Sequence, residues 1–162
     1  MDIQEHKEAF YQFLNEYAAF FEEMMAAEND KLGALLSNNL AAIEHSIATQ
    51  QATEKRLENL ERRRVELQTA AGWSDKTFHE IIGLSPQDKK QELQLLFNRV
   101  EQAISQIKYL NGKSMGVARS NMQALGARPQ SPPKAGGKGY DQSGDHNSAD
   151  TSQGGTLLKT KV

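Results

Sequence analysis

LLSNNLAAIE, residues Leu35 to Glu44, interrupts what otherwise reads as one very long helix. Apolar residues recur at helical spacing before it and after it. If the chain runs straight through Ser37-Asn38-Asn39, the molecule is a rod. If it reverses there, two arms of roughly 33 residues lie side by side, each ~50 Å long at 1.5 Å rise. Ser and Asn favour caps and turns because their side chains bond the local backbone. Charge points the same way. Residues 1–36 hold eight acids and two lysines, whereas the bases of residues 37–72 bunch at Lys55, Arg56, Arg62, Arg63 and Arg64. Reversal brings residue i near residue 75 − i. Arg62 and Arg63 then fall beside Glu16, Lys55 and Arg56 near Glu22 and Glu23, and Leu57 near Tyr17 and Phe20. A straight helix would keep these opposite charges far apart. Exposed pairs are each worth little, so they specify the pairing more than they stabilise it. The sequence predicts the turn.

Outward from the turn, the first arm starts near Ile3, where Asp2 and Glu5 have capping-box spacing. Its stripe is Ile3, Phe10, Phe13/Leu14, Tyr17, Phe20/Phe21, Met24, Leu32 and Leu35/Leu36, the 3-4 alternation of a coiled-coil seam. The second arm, Leu40 to Ala71, follows Leu40, Ile43, Ile47, Leu57, Leu60, Leu67 and Ala71, and Gly72 supplies a left-handed stop. Gln50 to Arg56 lacks apolar residues and is a weak point in that seam. A short helix is expected over Asp75 to Ile82, capped by Ser74 and ended at Gly83. Ser85-Pro86-Gln87-Asp88 then signals a third long helix: capping Ser, Pro at the first helical position, acid in the first turn. It carries Leu93, Leu96/Phe97, Val100, Ile104, Ile107 and Leu110, and weakens beyond Asn111. The expected fold is all-α: an antiparallel long-helix hairpin plus a third long helix, a three-helix bundle or coiled coil over residues 1–125. Residues 126–162 are rich in Gly, Pro, Ser, Asp and Gln. Such a segment buries too little apolar surface to offset its ordering entropy, so a disordered tail is expected.

Composition excludes several kinds of chemistry. The chain has no cysteine, hence no disulfide framework and no thiolate. A net charge of −2 gives no reason to expect a nucleic acid. The N-terminal MDIQEHKEAF carries acids where a secretory signal would carry Lys or Arg, and no apolar run reaches membrane-spanning length. A cytoplasmic protein without membrane insertion is the expectation. His6, His45, His79 and His146 are far apart. The residues three places before them are Ile3, Ala42, Lys76 and Ser143, so no Glu-x-x-His pair exists for a bundle metal centre. Asn111-Gly112-Lys113-Ser114 ends like a phosphate loop, but Ile107 stands where the first Gly is required and no strand precedes it. Arg62-Arg63-Arg64 spans nearly a helical turn and reads as a solvated, acid-paired face. No catalytic residue, metal or cofactor is expected, and an enzyme is disfavoured.

A helical bundle without catalysis can hold another helix. The third long helix outlasts the hairpin that supports it, and Phe97, Val100, Ile104, Ile107, Leu110 and Met115 form a stripe that an amphipathic partner helix could cover. The equal alternative for Leu93 through Ile104 is internal core. Tyr140, an aromatic with no core to serve, is a candidate docking anchor. A structural coiled-coil or scaffold protein is the rival reading, although the breaks at Ser37–Asn39 and Gln50–Arg56 oppose a continuous seam.

The residues also resemble a known family. Lys31 to Gly72, KLGALLSNNLAAIEHSIATQQATEKRLENLERRRVELQTAAG, followed by Thr77-Phe78-His79-Glu80-Ile81-Ile82, is similar to the FlgN family of flagellar export chaperones in the form common in Gram-positive bacteria. ALLSNN stands where the family usually shows ALLSND. Gln50-Gln51-Ala52 and Leu60-Glu61-Arg62-Arg63-Arg64 closed by Gly72 also match, as do Leu110-Asn111-Gly112 and Tyr140-Asp141 with Gly144. Lys108 departs from the family, which often has Asn there. The resemblance implies a cytoplasmic chaperone that binds hook-associated, hook–filament junction proteins and delivers them to the flagellar type III export gate. It would act as a monomer or small oligomer. Client contacts would centre on the third long helix, and Tyr140 would dock at the gate.

Overall fold

The computed structural model describes residues 1–126. Within them α1 spans Ile3–Ser37, α2 Leu40–Ala70, α3 Phe78–Leu84 and α4 Gln87–Ala124. Asp2 caps α1 through the full reciprocal box with Glu5. The chain turns at Asn38 and Asn39. Asn38 closes α1 in the left-handed conformation, φ 54°, which Asn tolerates better than most residues. Asn39 opens α2, its side chain accepting from the Ala42 amide at 3.1 Å.

The hairpin therefore forms, in a register one helical turn from the expected one. Arg63 pairs with Glu16 and Arg56 with Glu23, so residue i faces 79 − i rather than 75 − i. The cause is the pivot: α1 stays helical through Ser37, and the reversal falls on the two asparagines instead of centring on the serine. Arg62 stays on its own helix against Asn59, and Lys55 against Glu58.

α4 runs parallel to α1, with Lys89 near Glu8, Arg99 bonded to Glu22, and Asn121 donating to the Leu35 carbonyl. α1 is the central helix. α2 and α4 flank it along its length, touch each other little, and α3 packs on α4. The core lies at the end where α1 begins. There Phe10, Tyr11, Phe13, Leu14, Tyr17, Phe20 and Phe21 of α1 meet Leu60, Trp73, Phe78, Ile81, Leu93, Leu96, Phe97 and Val100. Each such side chain contributes about 1.5–3 kcal/mol when fully buried. Edge-to-face aromatic pairs add orientation, Phe10–Trp73 at 5.6 Å and Tyr17–Phe21 at 5.0 Å.

Two local expectations are corrected. α3 starts at Phe78, not Asp75, because Thr77 and Glu80 form a reciprocal capping box while Asp75 sits at φ 63°. It also continues through Gly83 to Leu84. Ser85 does not cap α4. Its hydroxyl donates to the Ile81 carbonyl at 2.7 Å and accepts from the Tyr11 hydroxyl at 2.9 Å, tying α3 to α1. Pro86 precedes α4 without a side-chain cap bond.

Candidate functional site

Arg62-Arg63-Arg64 divides by helical phase. Arg62 and Arg63 are exposed, but Arg64 points inward and is fully buried. The expected solvated face therefore holds for two of the three. Arg64 Nε donates to Glu61 Oε1 at 2.9 Å, and its Nη1 donates to Gln68 Oε1 at 2.6 Å. Its Nη2 lies 2.8 Å from Glu61, close enough for attraction but without an aligned hydrogen bond. Gln68 Nε2 in turn donates to the carbonyls of Trp73 and Lys76, each at 2.8 Å, and the Tyr17 hydroxyl donates to Glu61 Oε2 at 2.7 Å. Burial, with the Glu61 carboxylate beside it, pushes the Tyr17 hydroxyl pKa well above the ordinary tyrosine value. This network is structural. It pins the 71–77 turn to α2 and α2 to α1.

The six client-contact candidates on α4 separate into three depths. Phe97 and Val100 are core residues, about 5% exposed, and form part of the wall of a narrow apolar cleft of about 20 Å³ between α1, α3 and α4. For these two the internal-core alternative holds, so neither is presented to a client in this conformation. Ile104 and Ile107 are half-buried against the edge of the core. Leu110 and Met115 are half-buried beyond it. Tyr140 lies outside the described residues, as does the proposed tail beyond Gly126.

Beyond Val100 the character of the bundle changes. The half-buried side chains of α2 near the hairpin tip are Ala42, Ile43, Ser46, Thr49, Gln50 and Thr53; of the expected stripe Ile43 is kept, while Leu40 and Ile47 are 69% and 50% exposed. That corrects the phase expected for the start of α2. The register fixed by Leu57, Leu60 and Arg64 carries smaller polar residues into the seam. At Gln50–Thr53 the seam leaves a small hollow of about 40 Å³, lined by Met24, Ala27, Lys31, Ser46, Gln50 and Thr53 among others. Lys31 occupies the centre of this half and joins all three long helices. Its ammonium lies 2.9 Å from Glu28 Oε2 and donates to Gln50 Oε1 at 3.0 Å and Asn111 Oδ1 at 3.2 Å. Glu28 Oε2 makes no aligned hydrogen bond, and the buried Ser114 hydroxyl has no partner among the described residues.

Sequence reasoning missed this polar layer. The signal was available: Glu28, Lys31 and Ser114 fall in phase with the apolar stripes. It also missed the apolar surface at the tip, where Leu36, Leu40 and Leu125 are 66%, 69% and 79% exposed. Charge is segregated there too. Residues 25–54 hold four acids and one lysine, and residues 104–124 hold three bases and no acid. Among the described residues no helix is long and apolar enough to cross a membrane, and no three His, Asp or Glu side chains group as a metal set.

The arrangement can therefore hold an apolar or amphipathic segment, at the half of the molecule where its own core is thinnest. No curated protein and no solved structure matches the chain. The family model described as FlgN protein matches residues 1–147.

Proposed function

The chain belongs to the FlgN family of flagellar export chaperones, and on that premise we propose that it binds hook-associated, hook–filament junction proteins in the cytoplasm and delivers them to the flagellar type III export gate. FlgN chaperones bind flagellar proteins. The observation that supports the finer reading is the half-buried row Ile104, Ile107, Leu110 and Met115, which continues past the end of the aromatic core toward the exposed tip. Phe97 and Val100 precede that row on the same helix and belong to the core against which Ile104 and Ile107 pack. A client terminal helix with an apolar stripe would complete the packing that the bundle leaves unfinished, at roughly 25 cal/mol per Å² before ordering costs. Masking such a stripe keeps clients from associating with one another before export. The proposal assigns no catalytic step and no cofactor.

Tyr140 is the proposed anchor for the export gate. The test separates the two contacts. Pull-down from flagellated cells should recover hook–filament junction proteins with the full chain. Tyr140→Ala should keep the client and lose the cytoplasmic domain of the gate. Recovery of no flagellar protein contradicts the client assignment, and unchanged gate binding by Tyr140→Ala removes the anchor. Sedimentation should show a monomer or small oligomer; growth with concentration would favour the scaffold reading.

A further inference from the structure

We propose that the distal half of α4, residues 105–124, parts from the hairpin tip as a unit, and that the seat it vacates takes a neutral-to-basic amphipathic helix bearing an amide or carboxylate side chain for Lys31. This rests on the client-holding reading and specifies the guest.

Four observations carry it. The last well-buried apolar side chain of α4 is Ala103. Beyond it the buried member is Ser114, whose hydroxyl is unpartnered, so little apolar burial holds this half in place. The polar ties of this half run through Lys31, whose ammonium pairs with Glu28 and donates to Gln50 and Asn111, and through Asn121, which donates to the Leu35 carbonyl near the tip. A buried polar layer adds less stability than apolar packing of the same volume, and its partners can be replaced by those of another helix. Gly112 and Gly116 stand inside the helix with nothing within 4 Å of a Cβ position, so packing does not require them, and each weakens the helix. Finally, the seat is acidic and the segment that covers it is basic: four acids and one lysine in residues 25–54, against Lys108, Lys113 and Arg119 without an acid in residues 104–124. A guest that displaces this segment meets the same field, which favours basic helices over acidic ones. Its amide or carboxylate would take the place of Asn111 Oδ1. The freed Ile107, Leu110 and Met115 would then close over its other side.

Hydrogen exchange on the full chain tests the parting without any client. Amides of 105–120 should exchange at one common rate, about tenfold or more above those of 93–103. A smooth gradient rising toward Leu125 means only end fraying and overturns the proposal. The quadruple variant Glu28→Leu, Lys31→Met, Gln50→Leu, Asn111→Leu removes the buried ion pair together with its partners and seals the layer. It should slow exchange of that block about tenfold and weaken binding of a hook–filament junction protein by a similar factor. If that variant does not fold, Gly112→Ala with Gly116→Ala should slow the same block. Slowed exchange with unchanged client binding would overturn the seat. A native chain that shows the block yet binds no junction protein would retain the parting, and the failure would fall on the proposed function instead.

Discussion

Arg64 shows what a single residue decides. Its sequence neighbours Arg62 and Arg63 are surface bases, yet helical phase places Arg64 between Glu61 and Gln68 with no solvent exposure. Arg64→Ala leaves a carboxylate and an amide facing a void. The expected loss is about 3–5 kcal/mol, read by urea unfolding. Arg64→Met, which fills the space, should cost less than the alanine variant. Tyr17 provides a pH test of the same network. Its raised pKa means the folded state keeps a proton that the unfolded state releases above about pH 10. Stability from this group is complete below pH 10 and falls above it, by at most about 1.4 kcal/mol per pH unit for one proton. Tyr17→Phe should remove that component of the alkaline slope and cost about 1 kcal/mol at neutral pH. Neither effect was legible in the sequence. A three-arginine run does not say which arginine faces inward until the register is known.

At the scale of elements, much was legible. The Ser-Asn-Asn step, the Asp2–Glu5 box and Pro86 mark helix ends through backbone chemistry that acts locally, so a sequence states them directly. The hairpin register came out one turn off because it depends on which of three polar residues takes the left-handed conformation. Asn38 takes it. Asn38→Gly should be neutral or stabilise by a few tenths of a kcal/mol, and Asn38→Val should cost about 1–2 kcal/mol in chemical denaturation. Gly72, at φ 81°, should resist Ala through backbone strain, since Ile3 Cδ1 at 3.2 Å from a Cβ position ends an exposed side chain that can move aside. The Glu23–Arg56 and Glu22–Arg99 pairs are exposed. Each arginine's hydrogen bond draws its partner's carboxyl pKa down. Their contribution is present above the ordinary Glu pKa and fades as pH falls through the lowered values. Charge-reversing either glutamate should change stability by no more than about 1 kcal/mol, and added salt should shrink even that.

Over the whole molecule, an aromatic core lies at one end and a polar layer at the other. The stripes announced the core end, since large apolar residues at helical spacing leave little choice of face. The tip was not legible. There Leu40 and Ile47 carry the apolar signal but face outward, while Ser46, Gln50 and Thr53 take the seam because the distant Arg64 end sets the phase. Among the six α4 candidates the same division separates Phe97 and Val100, which build the core, from Leu110 and Met115, which lie past it. Leu110→Asp is therefore the most direct measurement. Its affinity for a hook–filament junction protein and its melting temperature are read on the same preparation. Binding should fall about tenfold or more while the melting temperature moves by only a few degrees, the shift of roughly 1 kcal/mol in a domain of this size. Full affinity in the variant, or a collapse of the fold along with binding, would contradict a client surface on the distal half of α4.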